Sequence, residues 1–205
     1  MRSSFANEQL AIWKDLIIGP RSSRWLNLAI ERVARTMSEV ANRPLRHTMP
    51  QTERVPIDQI ATYGGDPEAK TVGIYLQIHG DMFGQALLLL SESSALHLVD
   101  WMMDKPHGTA TNLGLAERSA LGEFGNLAVS HFLNALVSFS RLPSRLQPSP
   151  PAVMVDMISS ILSLVAMPLS IKHDTLLIVK SDLRDAGSIV QMRFWIFPDP
   201  QIAEV

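Results

Sequence analysis

Leu115–Phe139, LAERSALGEFGNLAVSHFLNALVSF, decides the fold reading, because helical winding splits it into two chemically opposite faces. At roughly 100° per residue, Leu121, Phe124, Ala128, Phe132, Ala135, Leu136 and Phe139 share one side. Ser119, Glu123, Asn126, Ser130 and Asn134 form a narrow stripe on the other. The apolar side demands a core to bury it. The polar side points a carboxylate and a carboxamide, three residues apart, in the same direction. No nucleophile, histidine base or metal ligand accompanies the pair, so it acts only on chemistry that a partner brings.

The chain has 205 residues, enough for one large domain or two fused halves. Its 18 basic and 20 acidic residues give a formal net charge of -2, which offers no electrostatic case for nucleic acid. The absence of cysteine excludes disulfide frameworks and thiolate sites. Met1 to Glu8 is polar and lacks the apolar core of a signal peptide. The most apolar stretch, Ala152 to Ile171, is interrupted by Asp156, several serines and Pro168. It reads as a strand turning into a buried helix, not as a membrane span, which needs about 20 mostly apolar residues. The expected location is the cytoplasm.

Outward from the long helix, Asn7 to Ile18 reads as a short amphipathic helix stopped by Gly19-Pro20, able to cover the face of the helix that follows. That second helix starts near Ser23, carries Leu26, Ile30, Val33, Met37 and Val40 on one face, and ends at Asn42 and Pro44. Leu45 to Ile60 reads as a strand and a helical turn, broken by Pro50 and Pro56. After the loop signal Gly64-Gly65-Asp66-Pro67, strands over Val72–Ile78 and Phe83–Leu90 form a hairpin turning at His79-Gly80-Asp81. A helix over Glu92–Met103 is expected to turn Leu96, Val99 and Met103 inward. Beyond the long helix, Pro143 to Pro151 is extended, Val153–Val155 is a strand and Met157–Met167 a helix. A closing hairpin uses Leu176–Lys180 and Ile189–Phe197 and turns at Arg184-Asp185-Ala186-Gly187.

The order helix, proline turn, strand, short helix, hairpin occurs twice, with a period near 100 residues. Leu26-Asn27-Leu28-Ala29 echoes Gly125-Asn126-Leu127-Ala128. Residues 28–49 separate Asn27 from Pro50, and residues 127–149 separate Asn126 from Pro150. The expected architecture is therefore α/β of the α+β type, internally duplicated. A mostly antiparallel sheet packs one face against two long helices. An extension over residues 1–22 precedes one domain over 23–205, made of halves near 23–112 and 113–200.

Polar residues at the spacing Ser119-x3-Glu123-x2-Asn126 are, by themselves, what any solvated helix face shows. Together with the Ser149-Pro150-Pro151 turn, the paired asparagine helices and Ile74-Tyr75-Leu76-Gln77-Ile78-His79-Gly80-Asp81-Met82-Phe83-Gly84, they resemble the CheC/CheX/FliY family. The resemblance runs from about Ser23 to Pro200 and fits the two-halved CheC layout. It implies a phosphatase acting on the aspartyl phosphate of a CheY-type response regulator in chemotaxis. It places Asn126 as the catalytic residue that orients the attacking water, with Glu123 engaging the receiver's active-site lysine. Ser119, one turn earlier, is a contact or helix-shaping residue. The resemblance implies no cofactor bound by this chain, since Mg²⁺ arrives with the receiver.

The first half departs from the motif. Asn27 aligns with Asn126, but Arg24 stands where the pattern has glutamate, and an arginine repels the receiver's lysine. One competent site is expected, in the second half, with Asn27 left as a secondary partner contact. The alternative is a non-catalytic adaptor that binds a response regulator or a CheD-type partner. The six histidines are dispersed without metal-ligand spacing, and Gly122 and Gly125 serve close helix packing, not phosphate binding.

Overall fold

Apolar runs and alternation resolve into eight strands of a single sheet in the computed structural model, which describes residues 11–140, 145–170 and 174–198. Residues 11–18 are helical (α1), followed by α2 (Ser22–Val40), β1 (Leu45–His47), β2 (Gln51–Pro56), α3 (Ile60–Tyr63), β3 (Lys70–Gly80), β4 (Gly84–Ser91) and α4 (Glu92–Met102). The second half runs α5 (Leu115–Ser140), β5 (Leu146–Pro148), β6 (Ala152–Met157), α6 (Ile158–Ser170), β7 (Thr175–Asp185) and β8 (Gln191–Pro198). The expected turn residues Pro143 and Pro200, and the start of the first helix, lie outside the described residues.

Every strand pairing is antiparallel, and the pairings interleave the halves. β1 and β2 line up along β7 of the other half, while β5 and β6 line up along β3. The central pair, β4 with β8, joins one hairpin to the other. β3 and β7 each span 11 residues with nearly the same burial pattern, and β1 and β5 share theirs. Because each half's opening strands complete the other half's hairpin, neither half closes a sheet alone.

Period-2 alternation sends β3 and β4 side chains to two different cores. Val72, Ile74, Leu76, Ile78, Ala86, Leu88 and Leu90 meet α1, α2, α4 and α5 on one face. Leu87 and Leu89 meet Ile60 of α3 and Ile158, Ile161, Leu162 and Val165 of α6 on the other. The two long helices do share one face, and two shorter ones cover the reverse side. Strands buried on both faces read as unbroken apolar runs, which is why Ala86–Leu90 shows no polar alternation.

α1 is part of the main core: Trp13, Leu16 and Ile17 are buried in the same cluster as Leu26 and Ile30. α4 differs from expectation. Its buried residues are Ser94, Ala95, Leu98, Val99 and Asp100, so Leu96 and Met103 lie off the inward line. Ser91 starts this helix by accepting from the Ser94 N–H at 3.1 Å. The Asp100 carboxylate turns inward to accept N–H bonds from Gly108, Thr109 and Ala110 at 2.8–3.0 Å. That clamp shapes the loop that delivers the chain to α5. β7 also runs five residues past its expected end, because β1 pairs with Leu183–Asp185 and holds it in the sheet.

Candidate functional site

α5 seats on the sheet unusually closely at the level of the polar pair. A Cβ added at Gly125 would fall 2.5 Å from Ile74 Cγ2 of β3, and one at Gly122 would fall 3.2 Å from Pro151 Cγ. The glycines therefore do what close packing requires, flanking Glu123 and adjoining Asn126. Pro151, immediately before β6, is the proline against the helix, while Pro150 is exposed. By strand register Pro50, immediately before β2, corresponds to Pro151, so the intervening segment is two residues longer in the second half. Ser149 locks the turn: its N–H donates to Gln77 O at 2.8 Å, and its Oγ accepts from Gln77 N–H at 3.0 Å.

Leu121, Phe124, Ala128, Phe132, Ala135 and Leu136 are buried, and Phe139 is half-buried. On the opposite ridge Ser119 and Glu123 are exposed and Asn126 is half-buried. Residues at i and i+3 on a helix place their Cβ atoms about 5–6 Å apart, so the acid and the amide form one reach-limited pair. Among the described residues, the side chains of Ser119, Glu123 and Asn126 have no hydrogen-bond or ion-pair partner. A free carboxylate and a free carboxamide on a convex ridge suit docking onto another protein's site. A cleft of about 560 Å³ at one end of the sheet, lined by Lys70, Arg184 and Arg193 among others, does not include them.

The first-half ridge is different. With α2 and α5 shifted by 99 residues, buried Ala29, Ile30, Val33, Ala34 and Met37 match buried Ala128, Val129, Phe132, Leu133 and Leu136. That register pairs Asn27 with Asn126 and Arg24 with Glu123. Asn27 Oδ1 is buried without a hydrogen-bond partner, as is Trp13 Nε1 of α1. The Asn27 side chain is half-buried, like that of Asn126, with its carbonyl oxygen turned inward. Arg24 is exposed, with its guanidinium carbon 5.5 Å from the Trp25 ring centre. α2 has no acid in its first turn and no side-chain cap at Arg21, whereas α5 carries Glu117 there. The electropositive helix end is left uncompensated in the first copy and matched in the second.

The two ridges lie far apart. Trp25 stacks on Phe139 at 5.1 Å and Thr36 Oγ1 contacts His131 Nδ1 at 3.4 Å, so α2 and α5 run antiparallel. Asn126 precedes Phe139 by thirteen residues, roughly 20 Å along the axis at 1.5 Å per residue.

No family model matches the sequence. CheY-P phosphatase CheC from Bacillus subtilis (strain 168) is 24% identical over 176 residues, covering 85% of this chain and 83% of that protein. The structure of Thermotoga maritima FliY superposes with a TM-score of 0.69 at 18% identity, over 93% of this chain and 91% of that one. In sequence and in fold the chain is similar to CheC, CheX and FliY proteins. A further relative in fold is the CheX–CheY–BeF3–Mg²⁺ complex from Borrelia burgdorferi, with a TM-score of 0.57 and 10% identity over 83% of this chain and 94% of that one. The interleaved sheet is thus a frame shared with these chemotaxis proteins, and α5 carries Glu123 and Asn126 on its outer ridge.

Sequence reasoning missed one polar cluster. Glu53 of β2, Tyr63 of α3 and Lys180 of β7 meet on the α6 side of the sheet. Tyr63 donates to Glu53 Oε2, Lys180 Nζ donates to Tyr63 Oη at 3.0 Å, and Lys180 Nζ lies 2.7 Å from Glu53 Oε1. Hydrogen bonds from Lys180 and then Tyr63 hold the Glu53 carboxyl below its ordinary range. Burial, then donation to Glu53, pushes Tyr63 up. Burial pulls the Lys180 ammonium down, and the bonds to Glu53 and Tyr63 outweigh it, so its pKa is raised. Lys180 and Tyr63 are 117 residues apart, too far for a spacing rule to join them. Among the described residues no three acidic or histidine side chains converge as metal ligands. No described helix is long and apolar enough to cross a membrane.

Proposed function

We propose that this chain hydrolyses the aspartyl phosphate of a CheY-type response regulator, in the cytoplasm, and so ends the regulator's signal. The observation that carries the reading is the partner-free pair Glu123 and Asn126 on the outer ridge of α5. It is supported by similarity to a protein named CheY-P phosphatase and by a shared fold with a CheX bound to CheY, BeF3 and Mg²⁺.

The receiver's own Mg²⁺ supplies charge stabilisation for the phosphoryl group. What this chain adds is order. Asn126 holds a water in line with the bond between phosphorus and the aspartate oxygen, as a carboxamide can both accept from and donate to it. The water oxygen bonds to phosphorus, the bond to the carboxylate breaks, and inorganic phosphate leaves with the aspartate restored. Glu123 pairs with the receiver's lysine and sets the register in which Asn126 enters. Ser119, exposed one turn before, borders the same footprint.

The test mixes the full chain with a phosphorylated CheY-type receiver and Mg²⁺ and follows phosphate release. Faster release with this chain than without it is expected. Stable binding with no acceleration would refute hydrolysis and leave the adaptor reading, whether for a receiver or a CheD-type partner.

A further inference from the structure

We propose that the outer face of α2 is a docking surface for an acidic segment of a partner protein. Arg24, Arg32 and Arg35 are all exposed on it. None of the three has a carboxylate within ion-pair distance among the described residues. Arg21, at the head of the helix, is by contrast 4.0 Å from Asp15. The arginine charge on this face is therefore not consumed by the described residues.

Two of these arginines are held in place. The Arg24 guanidinium carbon lies 5.5 Å from the Trp25 ring centre, and that of Arg32 lies 5.4 Å from the Phe139 ring centre. The rings stack on each other at 5.1 Å with a 30° tilt, so the four groups form one stack across the seam between α2 and α5. Contact with a ring face restrains each guanidinium plane while its N–H donors stay available at the edge. Part of the side-chain entropy that binding would otherwise remove is already lost. Half-buried tryptophan and phenylalanine backed by arginine is also the composition in which binding energy concentrates at interfaces.

The partner's chemistry follows from fork geometry and extent. Guanidinium edges match carboxylates bidentately. Arg24 to Arg35 spans eleven residues, roughly 16 Å of helix at 1.5 Å per residue, which is the reach of a short extended peptide. Glu31 interrupts the row, Glu39 follows it, and the chain's net charge is -2, a poor match to a long phosphate backbone. The matching positions on α5 are Glu123, His131 and Asn134, so the arginine row belongs to the first half alone. The Arg24 end of the surface lies roughly 20 Å along the helix pair from Asn126. The Arg35 end lies nearer, beside the Thr36–His131 contact, and the inference does not rest on the phosphatase reading.

The test uses the full chain and a fluorescein-labelled octaglutamate peptide, with binding followed by anisotropy at low and physiological salt. An oligothymidylate of the same length and phosphatidylserine vesicles serve as comparison probes. Peptide binding that weakens about tenfold or more in the Arg24→Gln/Arg32→Gln double variant, with unchanged circular dichroism, is expected. The Arg24→Lys/Arg32→Lys variant, which keeps charge but loses the planar fork, should fall between. Asn126→Ala should bind the peptide as wild type does. No peptide binding, binding indifferent to the arginine substitutions, or equal or tighter binding of the oligonucleotide or vesicles through the same arginines would each overturn the proposal.

Discussion

Asn27 and Asn126 sit at matching positions of two copies of one helix and are both half-buried, yet the Asn27 carbonyl oxygen is fully buried without a partner and that of Asn126 is not. The copies agree where they face the sheet and disagree where they face outward. Ala29 with Ala128, Ile30 with Val129 and Met37 with Leu136 stay apolar because each packs into the shared core, where a polar group would lose its hydration. Arg24 against Glu123 and Arg35 against Asn134 differ freely because solvent accepts either. Duplication thus preserves a frame under packing constraint and releases the ridge to specialise. α1 widens the difference, since Trp13 and Ile17 join the core beside Leu26 and Ile30 in the first half.

The largest expected consequence is catalytic. Asn126→Ala should slow dephosphorylation of the receiver by about 10²-fold or more, the scale of losing one transition-state contact. Asn27→Ala should leave the rate unchanged. Removing a buried, unpaired acceptor should also leave the urea midpoint of Asn27→Leu at or above wild type. Equal rate losses in the two alanine variants would show the halves to be functionally alike after all.

Next in size is a structural asymmetry. Gly125 corresponds to Leu26 in the register that pairs the helices, so α5 approaches the sheet where α2 carries a full side chain. A methyl at Gly125 meets Ile74 Cγ2, a branched and fully buried group with little room to yield. Gly125→Ala should cost about 1–3 kcal/mol by overpacking, read as a lowered urea midpoint. Because α5 must shift outward to relieve the contact, the rate should fall as well. A midpoint unchanged from wild type would mean that the helix is not pinned there.

Much of this frame was legible in the chain, and the exceptions have causes. The α5 faces follow from period alone, because apolar groups bury and the helix has one angular step. The inward line of α4 was misjudged because Asp100 is buried and satisfied by three loop N–H groups that no local pattern announces. Period also carries no information on which strand pairs with which, so the interleaving of β1 and β2 with β7 could not be read. The pair Glu123 and Asn126 was visible because it lies within one turn. The burial of Asn27 Oδ1 depends on tertiary packing and was not.

Glu123 offers a smaller contrast. Glu123→Ala should raise the KM for phosphorylated receiver about tenfold, the range of a charged contact at an interface rim, with a smaller change in kcat. Glu123→Arg, which copies the first half, should be worse because it repels the receiver's lysine. Arg24→Glu should not create a second site, since the amide oxygen behind it is buried. Measured gain of activity in Arg24→Glu would contradict that burial.

The faintest difference lies on the reverse face. Strand register sets Glu53 of β2 against Met154 of β6, and Lys180 of β7 against Tyr75 of β3, so the acid–ammonium pair exists at one of two equivalent places. Hydrogen bonds from Lys180 and Tyr63 depress the Glu53 pKa in the folded state. Its stabilisation is therefore present above the unfolded value, near 4.3, and disappears as pH falls through the depressed one. Lys180 is raised, so its share is complete below about 10.4 and is lost as pH climbs through the folded value. With the Glu53 side chain 40% exposed, screening limits the pair to less than about 1 kcal/mol. Urea midpoints of wild type and Glu53→Gln should differ at pH 7 and converge as pH drops below about 4. Parallel curves across that range would place the acid sensitivity elsewhere, since Met154 and Tyr75 have no carboxyl to titrate.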